Sequence, residues 1–187
     1  MRIITGKARG AKLETLSGDA TRPTLEKTKM AIFNTLQFDI EGRSVLDLFG
    51  GSGQMALEAL SRGAEKAFIC ENNPDAFDII KKNAQKTKLF SQVRLVCTDY
   101  KSALKSMSGK EKFGLIFLDP PYDTDYIKIA LHKIVEGDML TDSGYIVCES
   151  DKSEPFTHEG LKVYRHGKYG KTYITILEKS FDTEDAQ

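Results

Sequence analysis

"VLDLFGGSGQMALEAL", residues 45–60, decides the fold. Val45 to Phe49 are apolar except for Asp47, as in a strand covered on both faces. The chain then passes Gly50, Gly51 and Gly53 and enters a stretch with helical spacing. A buried strand that feeds a helix through a glycine turn opens a strand–helix–strand unit. Glycines let such a turn take positive φ and let a ligand approach the backbone.

The same alternation continues downstream. "SVLDLF" (44–49), "KAFICE" (66–71), "QVRLVC" (92–97), "FGLIFLD" (113–119) and "GYIVCE" (144–149) read as strands. "GQMALEALSRG", "NPDAFDIIKKNAQK" and "DTDYIKIALHKIV" read as the helices between them. In the second of these Asn73 is a candidate N-cap, Pro74 the first helical residue, and Phe77, Ile80 and Ala84 one apolar face. The sum is a doubly wound, Rossmann-like α/β sheet whose ligand lies beyond the carboxyl ends of the strands. After residue 150 the pattern changes: "GLKVYRHGKYGKTYITILEK" reads as an antiparallel strand pair around a Gly-rich turn.

The first forty residues stand outside the alternation. "RIITGKARGAKLET" reads as two short β-like pieces, and "TRPTLEKTKMAIFNTLQ" as a helix after Pro23 with Leu25, Ile32, Phe33 and Leu36 on one face and Lys27 opposite. The expected division is an N-terminal extension over 1–40, the α/β domain over 41–180 and a frayed tail over 181–187.

Composition narrows the classes. With 40% hydrophobic and 29% charged residues and no apolar run long enough for a membrane span, the chain reads as a soluble cytoplasmic protein. Its N-terminus lacks the apolar core of a secretory signal. Cys70, Cys97 and Cys148 form no paired motif and are expected to be small, reduced, buried hydrophobes; no metal site is expected. Net charge is zero, but basic residues cluster at both ends: Arg2, Lys7, Arg9 and Lys12, then Lys162, Arg165, Lys168 and Lys171.

Gly51, Gly53 and Ala56 satisfy G-x-G-x-x-G/A, and Glu71 ends the next strand, so NAD is one candidate ligand. S-adenosylmethionine uses the same architecture and is favoured by the acids. Asp47, Glu71, Asp99 and Asp119 all fall at or near strand ends, and carboxylates suit a cationic sulfonium better than a pyrophosphate. Glu71 is assigned to a ribose diol and Asp99 to an adenine amine, with Phe49, Asn72 and Tyr100 as adjoining cofactor residues.

The fourth strand ends in "LDPPYD" (118–123). Two prolines cannot continue a ladder, and their fixed φ holds the corner stiff. Asp119 offers a carboxylate, Pro120 and Pro121 backbone carbonyls, and Tyr122 a ring. That set suits a base carrying an exocyclic amine, whose two N–H groups need acceptors and whose ring can stack. A base inside folded RNA or DNA would have to be flipped out.

"DPPY" with "DLFGGSG" resembles the amino-methyltransferases of DNA and RNA bases. With "RIITGKARGAKL", "TRPT…IFNTL" and the late "YGKT", nearly the whole chain is similar to the bacterial 16S rRNA guanine-N2 methyltransferase family. The resemblance implies a class I methyltransferase sheet with an antiparallel C-terminal pair and a small N-terminal hairpin-plus-helix extension. It implies S-adenosylmethionine as cofactor and guanine N2 of small-subunit rRNA, in an assembled or assembling 30S particle, as substrate; a monomer is expected. Asp47, Gly51, Gly53, Glu71 and Asp99 would hold cofactor. Asp119, Pro120, Pro121 and Tyr122 would hold the amine, and Arg9, Lys12 and Arg22 would meet RNA phosphate. The family often has alanine where Gly50 stands, and arginines where this chain has Lys27 and Lys29. A DNA adenine or cytosine N-methyltransferase, an NAD-dependent oxidoreductase and a non-catalytic RNA-binding module remain the alternatives.

Overall fold

The computed structural model describes residues 1–16, 23–122 and 124–181. Helix α1 (Pro23–Thr35) precedes β1 (Ser44–Asp47), α2 (Gln54–Ser61), β2 (Lys66–Glu71), α3 (Pro74–Lys86) and β3 (Val93–Cys97). Then follow α4 (Tyr100–Met107), β4 (Phe113–Leu118), α5 (Tyr126–Glu136), β5 (Leu140–Ser150), β6 (Leu161–Tyr169) and β7 (Thr172–Lys179). All seven strands form one sheet in the order β3-β2-β1-β4-β5-β7-β6. The first five pair in parallel, and β7 pairs antiparallel with both β5 and β6.

Strand side chains alternate between two cores, as a period of two requires. Val45, Ala67, Ile69, Leu115, Phe117 and Val147 face α1, α2 and α3. Leu46, Phe68, Cys70, Ile116, Leu118 and Ile146 face α4 and α5. Covering both faces is why the inner strands β1, β2 and β4 are apolar at consecutive positions. Asn73 caps α3, its Oδ1 accepting from Asp75 N at 2.8 Å and Ala76 N at 3.3 Å; such a cap contributes about 1 kcal/mol.

Three details differ from the sequence reading. Helix α4 was not expected; Tyr100, Ala103, Leu104 and Met107 bury its one apolar face. Strand β5 begins at Leu140, before the expected Gly144, and its pairing with β4 shifts register between Phe113 and Leu115. Cys70 and Cys148 are buried, but Cys97, at the end of the sheet-edge strand β3, is exposed.

The first residues form a hairpin with a bridge between Arg2 and Lys12, and they do not build a core of their own. Ile3 and Leu13 enter the same cluster as Phe33, Leu36 and Leu57. The loop locks onto the end of α2: Lys7 N donates to Ser61 O at 2.8 Å, and Ser61 Oγ donates to Thr5 O at 2.6 Å. Gly6 has φ 83°, and a Cβ placed there would lie 1.8 Å from Ser61 O. Gly6→Ala is therefore expected to lower stability by about 3 kcal/mol. Gly10→Ala has the same φ but open space around it, and is expected to cost only about 1 kcal/mol. Urea denaturation midpoints of the two variants check the difference.

Candidate functional site

Chain order reverses between β1 and β4, and in such sheets a crevice opens outside the carboxyl ends at the reversal. A cleft of about 630 Å³ lies there. The turn after β1 supplies Leu48, Phe49 and Gly51, and the end of β2 supplies Glu71 and Asn72. Thr98, Asp99 and Tyr100 come from the turn after β3, and Asp119, Pro120, Pro121 and Tyr122 from the corner after β4. The structure thus gathers most of the sequence-assigned cofactor and amine residues around one cavity.

Asp47 and Gly53 stand behind the cavity and do not line it. Asp47 is buried beneath the glycine turn, where its carboxylate accepts from the backbone N–H groups of Ala56 and Phe49. Gly53 takes φ 75° at the N-cap of α2, a conformation that turns the chain from loop to helix. The turn is not open at Gly50: a Cβ there would meet Ile69 Cγ2 at 2.7 Å and Ile80 Cδ1 at 2.9 Å. An alanine at this position requires those two side chains to shift.

Burial raises the Asp47 carboxyl to about 7, against the two hydrogen bonds that favour its charge; Asp119 and Glu71 raise it further. The folded chain thus holds a proton that the unfolded chain releases near pH 4. This stability is full below the unfolded pKa and is lost as pH rises through about 7. The thermal midpoint of the protein is expected to fall between about pH 4 and about pH 7, and Asp47→Asn to flatten the slope.

Glu71 is the brace of the cofactor side. One carboxylate oxygen accepts from Gly51 N at 2.8 Å and the other from Asn73 N at 2.8 Å. Each oxygen keeps lone-pair capacity for a hydroxyl in the cleft. Asp99 caps α4, accepting from Lys101 N at 2.9 Å, Ser102 N at 3.1 Å and Ser102 Oγ at 2.6 Å. The Ser102 hydroxyl first, then the backbone N–H groups, lower its carboxyl below the ordinary range.

Three rings close one side. Phe49 and Tyr100 lie 5.3 Å apart between centroids, Tyr100 and Tyr126 4.9 Å, and Phe49 and Tyr126 6.3 Å in a stacked arrangement. Tyr126, from the start of α5, was not singled out in the sequence; only its place after the proline corner marks it. The Tyr100 hydroxyl is buried without a partner among the described residues, an unmet donor at a wall of the cleft.

At the proline corner Asp119 is open to solvent through the cleft mouth, while protein on its other sides raises its carboxyl above the ordinary range. Pro121 O accepts from Thr124 Oγ1 at 3.0 Å. Tyr122 is 46% exposed, and its phenol is raised to about 12, by burial first and then by Glu149, Asp119 and Asp151. Glu149, at the end of β5, was also missed; it reads in sequence as a strand residue.

Of the assigned RNA residues, Arg9 and Lys12 are exposed on the N-terminal hairpin, and Arg22 lies outside the described residues. Lys27 is exposed. Lys29 is not a surface cation: it is buried, donates to Arg2 O at 2.8 Å and pairs with Glu58 at 3.4 Å.

Known proteins are similar to this chain in sequence and in fold. YlbH of Bacillus subtilis (strain 168) is 37% identical over 182 residues, 96% of this chain and 99% of that one. Ribosomal RNA small subunit methyltransferase D of Haemophilus influenzae is 34% identical over 156 residues, 83% of this chain and 81% of its own. The solved structure of yhhF from Escherichia coli superposes with a TM-score of 0.85 at 28% identity, covering 96% of this chain and 98% of that one. The model of one family spans residues 1–178, and the chain belongs to that family, described as Conserved hypothetical protein 95.

Proposed function

We propose that this protein is an S-adenosylmethionine-dependent methyltransferase acting on the exocyclic N2 of a guanine in 16S rRNA, guanine 966, within the small ribosomal subunit. The observation that carries the reading is the meeting of two motifs in one cavity: the glycine turn with Glu71 and Asp99, and the Asp119–Tyr122 corner. The small-subunit rRNA methyltransferase among its relatives supports the substrate class.

The cleft fits the cofactor. Glu71 has acceptor capacity for ribose hydroxyls, and Asp99 takes the place suited to an adenine amine. Phe49, Tyr100 and Tyr126 offer ring faces, and the Tyr100 hydroxyl awaits a partner. Acids on three strand ends favour a cation and disfavour the pyrophosphate of a dinucleotide. When bound, S-adenosylmethionine supplies an electrophilic methyl group on a positively charged sulfur.

The protein's own part is positioning and electrostatics. The Asp119 carboxylate and the Pro120 carbonyl accept the two N2 hydrogens of the guanine. Holding both draws the nitrogen lone pair out of conjugation with the ring, which turns a weak nucleophile into a directed one. Tyr122 stacks on the base. Arg9 and Lys12, on the exposed hairpin, meet RNA phosphate.

Mass-spectrometric nucleoside mapping of 16S rRNA from cells with and without the protein tests the reading. One N2-methylguanosine should vanish in the strain lacking it; an unchanged nucleoside map ends the proposal. Calorimetry is expected to show binding of S-adenosylhomocysteine and none of NAD.

A further inference from the structure

Asp119 does not stand alone at the end of its strand. β4 and β5 are parallel neighbours with Leu118 level with Cys148, so the next residues along, Asp119 and Glu149, come side by side at the carboxyl edge. Glu149 is half-buried and lines the recess behind the proline corner with Pro120, Pro121 and Tyr122. Nothing in the roles given above to the corner uses it.

We propose that Glu149 is a specificity-determining residue that accepts the N1–H of the target guanine, so that Asp119 and Glu149 together read the donor edge of the base. The inference rests on the guanine-N2 reading and adds to it the means of telling guanine from other bases.

Three common bases carry an exocyclic amine. Adenine and cytosine have a bare ring nitrogen, an acceptor, beside that amine; guanine alone has an N–H donor there. One acceptor group at the corner cannot separate the three, because each supplies NH₂ hydrogens. A second acceptor level with the first can: it satisfies guanine N1–H and faces the lone pair of adenine N1 or cytosine N3.

The electrostatics agree with this task. Burial first, and then Asp119, raise the Glu149 carboxyl above its ordinary range, while the Thr172 hydroxyl acts the other way. Two carboxyls so close tend to share a proton. A neutral Glu149 still presents a carbonyl to N1–H and can turn its O–H toward the guanine O6. The titratable groups facing it are Asp119 from β4, Tyr122 from the corner, and Asp151 and Lys152 from the chain after β5.

The test uses small subunits reconstituted with guanine or 2-aminopurine at the target position, the latter having the amine but no N1–H. The wild type should methylate guanine at least about 10-fold faster than 2-aminopurine. Glu149→Ala and Glu149→Leu should lose about 30-fold in kcat/KM on guanine and handle the two bases alike. Glu149→Gln, whose amide reproduces the neutral acid's acceptor and donor, should recover most of that loss. S-adenosylhomocysteine affinity should be unchanged in all three, which separates base reading from a structural role. Wild-type rates for Glu149→Ala on guanine, or a wild type indifferent to the two bases, overturn the proposal. A wild type that forms no N2-methylguanosine on guanine subunits removes the guanine reading, and this inference with it.

Discussion

Exchanging Glu58 for alanine is expected to destabilise the protein by about 4 kcal/mol, a large share of the ~5–15 kcal/mol that holds a domain together. Glu58 lies in α2 with 0% of its surface exposed, and four groups converge on it. Its oxygens accept from Ile4 N at 2.7 Å, Thr5 N at 3.0 Å and Arg62 Nε at 2.8 Å, and Lys29 Nζ lies 3.4 Å away. Alanine strands two backbone donors and leaves a buried ammonium without its ion-pair partner, with only the weaker influence of Glu26 to offset its charge. The Lys29 amine is already lowered by burial, with Glu58 the chief influence restoring it. Glu58→Gln keeps an acceptor and should lose about half as much. Adding Lys29→Met to Glu58→Ala should recover part of the loss, because the unpaired charge goes with it. Chemical denaturation midpoints decide. A change below about 1 kcal/mol for Glu58→Ala contradicts the account of how the N-terminal hairpin, α1 and α2 are tied together.

That buried cluster also shows where reading the chain stops. The glycine turn, the five parallel strands and the C-terminal pair were legible because each leaves a local mark: apolar runs of strand length, turn residues, a capping Asn73. The proline corner was legible for the same reason, since Asp119 to Tyr122 are consecutive. Glu58 was not. A glutamate inside "MALEAL" looks like the solvent side of a helix, and its amide partners at Ile4 and Thr5 belong to another part of the chain. Lys29 is hidden in the same way: nothing in "RPTLEKTK" separates it from the exposed Lys27, and only tertiary packing turns it inward. Helix α4 escaped because its eight residues carry four polar ones and its apolar face amounts to four side chains. Tyr126 reaches the cleft, and Glu149 the recess behind the proline corner, by helix placement and sheet order, which no short window of sequence contains. The N-terminal forty residues had a recognisable hairpin and helix, but nothing local told that Ile3 and Leu13 would share the core of α2.

Asp119→Ala is expected to lower methyl transfer to small-subunit rRNA by about 10³-fold in kcat while leaving S-adenosylhomocysteine affinity within about 3-fold of the wild type. The separation follows from which strand carries which group. Glu71 and Asp99 reach the cleft from β2 and from the turn after β3, on the far side of β1 from Asp119, and the rings that close the cofactor side are Phe49, Tyr100 and Tyr126. Removing one carboxylate from the end of β4 takes an acceptor from the amine and leaves those groups in place. Asp119→Asn should lose less, since in the proposed arrangement an amide oxygen would still accept one N2 hydrogen, though without the charge that strengthens the bond. The proline corner should survive both changes, because Pro120 and Pro121 fix its backbone and Thr124 holds the Pro121 carbonyl. Neither substitution should weaken the fold: a carboxyl raised by its surroundings is one whose charge the folded state tolerates at a cost. Single-turnover methylation of 30S particles, paired with calorimetry, measures both quantities on the same preparations. Full activity in Asp119→Ala contradicts the mechanism, because an exocyclic amine with no carboxylate to localise its lone pair remains the poor nucleophile that it is in free guanine.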